Sequence, residues 1–147
     1  MKLAIMPRPR AGDWLEDEMI SFSSLGYSTL VSLITREEEY ELGLLSEKSV
    51  AKANNINFFS YPIEDRSIPD SSAEYKDFIS VMAKRLQTEN IGIHCRMGIG
   101  RAGMTCIAVL MYLGESLDEA MEKVSKARGL SVTDHECQIE FLRKLRF

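Results

Sequence analysis

Residues 91–113 read IGIHCRMGIGRAGMTCIAVLMYL, and this stretch predicts a strand, a glycine-rich turn and a helix in immediate succession. Residues 91–94 form a short apolar run of the kind found in buried strands. Residues 102–113 are mostly apolar and are followed by Gly114, as expected of a buried helix with a glycine at its end. The turn therefore places Cys95 where a strand ends and a helix is about to begin.

Strand-like and helical segments alternate along the rest of the chain. Apolar and β-branched runs predict further strands at 3–6, 29–34 and 56–61. Capping residues and glycines predict helices at 13–25, from 35, 46–54, 72–89, 116–129 and from a cap at Thr133. This alternation predicts an α/β fold, one domain over residues 1–147, with a central four- or five-stranded, mostly parallel sheet and helices on both faces.

The amino-acid composition argues against several classes of protein. The 147 residues carry a net charge of −4, which argues against nucleic acid as the main partner. No apolar segment approaches a membrane span, and the apolar N-terminal run is too short for a secretory signal. Three cysteines without a paired spacing and two distant histidines predict reduced thiols, no metal and no cofactor. We therefore expect a cytoplasmic monomer without a membrane or nucleic-acid partner.

The glycine-rich turn carries groups suited to anion chemistry. A helix N-terminus presents unpaired N–H groups and the positive end of the helix dipole, and its field favours the thiolate form of Cys95. Gly98 and Gly100 allow successive N–H groups to point inward, and Arg101 adds a planar fork that can hold two phosphate oxygens. The predicted phosphate-binding residues are Arg96, Met97, Gly98, Ile99, Gly100 and Arg101.

Two segments resemble a known enzyme family. Residues 94–101, HCRMGIGR, resemble the signature loop of the Cys-x5-Arg protein phosphatases. Residues 61–69, YPIEDRSIP, resemble the Pro-Ile-x-Asp-x-x-x-Pro loop of the dual-specificity phosphatases within that superfamily. Weaker similarity at 9–15 and 127–129 is to bacterial relatives of the kinase-associated phosphatase. The resemblance covers roughly residues 7–138.

The resemblance implies a mechanism and a substrate class. It implies hydrolysis of phosphotyrosine, phosphoserine or phosphothreonine on proteins through a phosphocysteine on Cys95, with Asp65 protonating the leaving oxygen. Independently, an acid must lie on a loop at the same sheet edge as the nucleophile, and Asp65, Glu64 and Asp70 all meet that condition. The resemblance also implies that His94 orders the loop by hydrogen bonds rather than by transferring protons.

Ala102 departs from the family pattern, in which Ser or Thr usually follows the arginine. The hydroxyl in relatives donates a hydrogen bond to the cysteine sulfur. Its absence supports one alternative, a phospho-binding module that hydrolyses little. A phosphatase of a non-protein phosphomonoester is a second alternative that stays open. Among the other residues, Arg128 either supports the loop or is solvated, and residues 37–39, three glutamates, are expected to form a solvated helix face.

Overall fold

The computed structural model describes residues 1–147 and contains four strands and seven helices. The strands are β1 (Leu3–Met6), β2 (Tyr27–Ser32), β3 (Asn57–Ser60) and β4 (Asn90–His94). The helices are α1 (Trp14–Ser24), α2 (Arg36–Glu41), α3 (Glu47–Ala53), α4 (Ser72–Arg85), α5 (Gly100–Tyr112), α6 (Leu117–Arg128) and α7 (Glu136–Lys144). The predicted order of elements is confirmed, with ends that differ by a few residues.

The sheet has the strand order β1-β4-β2-β3, and all its pairs are parallel. The predicted α/β fold is thus confirmed, with four strands and with β4 inside the sheet. His94 pairs with Met6 on one side and with Ser32 on the other, and Ser32 pairs with Ser60. The last residues of the four strands therefore lie in one row, and their loops leave the sheet at one edge. Ligands bind at this edge in open α/β sheets.

Helices cover both faces of the sheet, as predicted. The larger core lies between the sheet and α4, α5, α6 and α7, whereas α1 and α3 build a smaller core on the opposite face. The helix α5 is buried from Gly100 through Val109, because it packs on β1 and β4 and is itself covered by α4, α6 and α7. None of the seven helices has the length and apolar character that crossing a membrane requires.

The start of the last helix differs from the prediction. The N-cap of α7 is His135, whose Nδ1 accepts a hydrogen bond from the Cys137 N–H at 3.1 Å, so the predicted cap at Thr133 is wrong. Residues 132–134 are held against the first turns of α5 instead. A Cβ at Gly103 would lie 2.7 Å from Val132 Cβ, which shows how closely this segment packs on the helix.

Candidate active site

Residues outside the loop between β4 and α5 donate hydrogen bonds to its carbonyl groups. The Arg8 N–H donates to the carbonyl of Arg96 at 3.2 Å. The Arg128 guanidinium donates from Nε to the carbonyl of Gly98 at 2.8 Å and from Nη2 to that of Met97 at 3.1 Å. Of the two alternatives for Arg128, support of the loop is therefore the one observed.

The backbone N–H groups of this loop remain available as hydrogen-bond donors. The backbone N–H groups of residues 96–101 make no hydrogen bond within the protein. The last of them belong to the first turn of α5, where the helix dipole favours an anion. Gly98 adopts φ +73°, and a Cβ there would lie 2.6 Å from the backbone of Met6 and Pro7, so only glycine allows this loop conformation. The loop therefore offers a series of free backbone donors to an oxyanion.

Cys95 directly precedes these donors, immediately after the last residue of β4. The residue is 2% exposed, and its Sγ accepts a hydrogen bond from the Ala102 N–H at 3.4 Å. The nearest hydroxyl along the helix belongs to Thr105, whose Oγ1 accepts a hydrogen bond from Tyr75 Oη at 2.8 Å. The backbone of α5 thus provides the sulfur's hydrogen bond, and no side-chain hydroxyl contributes one.

Arg101 is the largest fully buried side chain of the protein, with 1% exposure. Its Nη1 donates to Glu38 Oε1 at 2.6 Å and to the Ile63 carbonyl at 2.8 Å. Its Nη2 donates to Glu38 Oε2 at 2.9 Å and to Asp65 Oδ1 at 3.2 Å. The Nε is buried without a partner. Four contacts therefore fix the plane of the guanidinium while one donor stays available to a ligand.

Glu38 is a site residue that the sequence interpretation placed wrongly. The residue is 7% exposed rather than part of a solvated face, because its carboxylate forms the capping box with Thr35 and a two-bond ion pair with Arg101. Burial by itself would raise the pKa of Glu38, but the hydrogen bonds from Arg101 and Thr35 outweigh it and hold the pKa below its ordinary value. The Thr35–Glu38 spacing was visible in the sequence, whereas the partner 63 residues away was not.

Replacing Glu38 by glutamine is expected to lower the free energy of unfolding at neutral pH and to reduce the loss of this free energy at acid pH. Removing one partner of a buried pair costs about 3–5 kcal/mol, and the remaining amide oxygen should keep the loss near the lower end. Because the folded-state pKa is depressed, the stabilisation is present above the ordinary pKa and is lost as pH falls through the folded-state pKa. Urea unfolding from neutral pH to about pH 3 measures both effects. The control is Glu37→Gln, an exposed neighbour; equal losses in the two variants would contradict the assignment.

The loop after β3 brings one carboxylate to the arginine. Asp65 Oδ1 lies 3.2 Å from Arg101 Nη2, and the Asp65 side chain is 53% exposed. Its two rivals, Glu64 and Asp70, are exposed and line a neighbouring cleft with Thr35, where neither contacts Arg101. The structure therefore places Asp65, and not the other two, beside Arg101 of the cysteine loop.

Contacts from α7 hold the loop that carries Asp65. Gln138 is fully buried and its Nε2 donates to the Ser67 carbonyl at 3.2 Å. The Cys137 Sγ approaches the Arg66 carbonyl at 3.5 Å, and Arg66 adopts the left-handed φ of +58°. A non-glycine residue in that conformation costs about 1 kcal/mol or more, and the α7 contacts compensate for that cost.

Two further acidic residues adjoin the loop without having been singled out from the sequence. The carboxylate of Asp134 lies directly against Gly100, where a Cβ would overlap it. Glu47, the first residue of α3, is 2% exposed, and its Oε2 lies 2.5 Å from His94 Nε2. His94 Nδ1 lies 2.9 Å from the Cys95 carbonyl. Neither acid has a sequence spacing that relates it to the loop, so only the folded chain reveals them.

The parallel sheet and the cysteine loop at its edge define the architecture of the Cys-x5-Arg phosphatases. The whole chain, residues 1–147, matches the family described as PTP-SAK, Swiss Army Knife protein, DSP-PTPase phosphatase domain. The chain therefore belongs to this family of dual-specificity-type phosphatase domains, as the sequence resemblance predicted.

Individual relatives support the assignment. The chain is 29% identical over 151 residues to the putative tyrosine phosphatase 197R of Invertebrate iridescent virus 6, covering 95% of this chain and 54% of the viral protein. It thus spans about half the length of that relative. The crystal structure of Tk-PTP in the active form is 26% identical, with a TM-score of 0.77 over 97% of this chain and 88% of that one. Kinase associated phosphatase shares the fold at 20% identity, with a TM-score of 0.83 over 98% and 84%.

Proposed function

We propose that this chain hydrolyses phosphate monoesters on protein side chains, with Cys95 as the nucleophile. The observation that carries the proposal is the series of unpaired N–H groups of residues 96–101 that directly follows Cys95, together with the unpartnered Nε of Arg101. The buried Arg101 Nε without a partner is costly, and a phosphate dianion supplies acceptors for it and for the free backbone N–H groups. Family membership supports the same reaction class.

The reaction proceeds in two displacements on phosphorus. The Cys95 thiolate attacks in line, the P–S bond forms, and the bond to the leaving oxygen breaks as Asp65 donates its proton to that oxygen. A water then attacks the phosphocysteine, Asp65 takes a proton from this water, and Cys95 leaves as a thiolate. The Ala102 N–H, 3.4 Å from the sulfur, stabilises the thiolate before and after the cycle.

When phosphate binds, it replaces Asp65 as a hydrogen-bond partner of Arg101. The two Nη groups stay anchored by Glu38 and the Ile63 carbonyl, while phosphate oxygens take Nε and the Nη2 position that Asp65 occupies at 3.2 Å. This displacement releases the Asp65 carboxyl toward the leaving oxygen. The half-exposed position of Asp65 suits such a movement, whereas the buried Arg101 stays fixed.

The substrate is a phosphorylated protein, and the choice among phosphotyrosine, phosphoserine and phosphothreonine stays open. The net charge of −4 supports the expected absence of a nucleic-acid partner. A cytoplasmic location and a monomeric state stay predictions from composition.

A second candidate function, a phospho-binding module with little turnover, is favoured by Ala102. The residue is fully buried beside the sulfur and supplies only its backbone N–H. Thr105 Oγ1 accepts a hydrogen bond from Tyr75 and makes none with the Cys95 sulfur, so no hydroxyl helps the thiolate to leave phosphocysteine. The second displacement is therefore the slow step in either case, and only its rate separates an enzyme from a binding module.

Rapid-quench kinetics with an activated aryl phosphate tests the proposal. The wild type should show a burst of leaving group, accumulation of phosphoenzyme and slow steady-state turnover. A hydrogen bond to a charged group contributes about 1.5–3 kcal/mol, so Ala102→Ser should accelerate the second step by roughly tenfold to a hundredfold and diminish the burst. Ala108→Ser, an equally buried alanine on α5, controls for the added hydroxyl. A single burst without turnover would favour the binding module, and no release of leaving group would contradict the proposed hydrolysis.

A further inference from the structure

A buried acid and a buried histidine form a pair behind the cysteine loop. Glu47 is 2% exposed and His94 is fully buried. Glu47 Oε2 lies 2.5 Å from the ring Nε2, and the other carboxylate oxygen, Oε1, is buried without a partner. The two residues come from opposite parts of the fold, since His94 ends β4 and Glu47 begins α3. Burying a carboxylate that has only one hydrogen-bond partner carries a free-energy cost.

Counting protons restricts the state of the ring. The Cys95 carbonyl, 2.9 Å from Nδ1, can only accept a hydrogen bond, so Nδ1 carries a proton. At 2.5 Å, Nε2 and the Glu47 oxygen also need a proton between them, because two lone pairs would otherwise face each other. The pair therefore holds either an imidazolium and a carboxylate or a neutral imidazole and a carboxylic acid. A neutral ring beside an ionised Glu47 is excluded.

Burial by itself disfavours the charged form of the pair, but no nearby cation competes with the ring for Glu47. Imidazole is a stronger base than a carboxylate, so the shared proton belongs on the ring unless another cation competes. The strand neighbours of His94, which are Met6 on β1 and Ser32 on β2, are not titratable. The groups that line the cleft beside Glu47 with charge are Arg36, Glu39 and Lys48. Arg36 is paired with Glu39 at 3.4 Å, and Lys48 is exposed, so neither cation neutralises Glu47.

We propose that Glu47 is a positioning residue of the catalytic site, whose buried carboxylate keeps His94 protonated on both ring nitrogens. The imidazolium donates to the Cys95 carbonyl, which keeps that carbonyl turned away from the array of N–H donors. Its positive charge, on the residue next to Cys95, favours the thiolate. The proposal rests on the proposed role of Cys95 as nucleophile.

The protonation state can be observed directly in the unmodified protein. The chain contains only two histidines, so ¹⁵N-histidine labelling gives a spectrum that His135→Gln assigns by removing the other one. At neutral pH both ring nitrogens of His94 should resonate in the protonated range. In Glu47→Gln, Nδ1 should stay protonated while Nε2 moves to the unprotonated range. A neutral His94 ring in the wild type would overturn the proposal without any variant.

The effect on the cysteine is measured by alkylation. In a Cys137→Ser background, mass spectrometry follows the iodoacetamide reaction of Cys95 against pH. Glu47→Gln should shift the profile to higher pH by about one unit, so that the reaction slows by about tenfold at pH values below the midpoint of the profile. Glu16→Gln, an exposed acid that also lies in the first turn of a helix, should leave the profile unchanged.

The possible results separate this proposal from the proposed function. A Glu47→Gln variant that loses turnover but keeps the wild-type alkylation profile has only a structural defect, and this result would overturn the positioning role. An enzyme with full activity and a neutral His94 overturns the role of Glu47 and leaves the phosphatase assignment intact. A doubly protonated His94 that loses its Nε2 proton in Glu47→Gln supports the pair, even in a protein whose nucleophile proves not to be Cys95.

Discussion

Cys95→Ser should lower hydrolysis of an aryl phosphate by roughly 10⁴-fold or more, because removing a nucleophile can cost up to about 10⁶-fold in rate. A serine hydroxyl is not ionised at neutral pH, and the Ala102 N–H that faces the sulfur cannot make it so. The N–H groups of residues 96–101 and Arg101 are untouched by the substitution. Binding of inorganic phosphate, measured by calorimetry, should therefore stay close to that of the wild type.

The matched control for this result is Cys137→Ser. Cys137 is half-buried on α7, outside the cysteine loop, and the serine hydroxyl can still donate to the Arg66 carbonyl that the sulfur approaches. It should retain most of the turnover. Substantial turnover in Cys95→Ser would show that another group attacks phosphorus, whereas loss of both turnover and phosphate binding would indicate that the loop has collapsed.

Asp65→Asn should slow hydrolysis of alkyl and weakly activated aryl phosphates by about 10²- to 10⁴-fold, the usual contribution of a positioned acid. An ester with a strongly acidic leaving group needs no proton, so its burst should be nearly unchanged. The measurement is the burst rate constant plotted against the pKa of the leaving group, which should be much steeper in the variant. The contact of Asp65 with Arg101 at 3.2 Å places this carboxylate beside the arginine of the cysteine loop.

Two variants test the specificity of that assignment. Asp70→Asn removes a carboxylate from the same loop that does not contact Arg101, and it should leave the plot unchanged. Asp134→Asn removes the other carboxylate that adjoins the loop, the one against Gly100. If Asp134→Asn steepens the plot and Asp65→Asn does not, the acid has been assigned to the wrong residue.

The sequence alone was sufficient for the class of fold and for the cysteine loop. Residues 91–113 encode strand, turn and helix through periodicity and glycine placement, which are local properties of the chain. The loop needs Gly98 because φ is positive there and the backbone of Met6 and Pro7 leaves no room for a side chain. Chain order also predicts that Asp65 leaves the same sheet edge as Cys95, because parallel strands end together.

Only the tertiary structure decided which acidic residues serve the loop. The capping box gives Glu38 a local role that accounts for its position in the sequence. The same carboxylate also binds Arg101, which lies 63 residues further along the chain. Glu47 lies beneath His94 because α3 packs at the edge where β4 ends. Asp134 lies against Gly100 because its segment packs on α5 instead of continuing α7. Such pairings depend on which separate elements pack against each other. The sequence around a charged residue does not indicate its partner in a distant element.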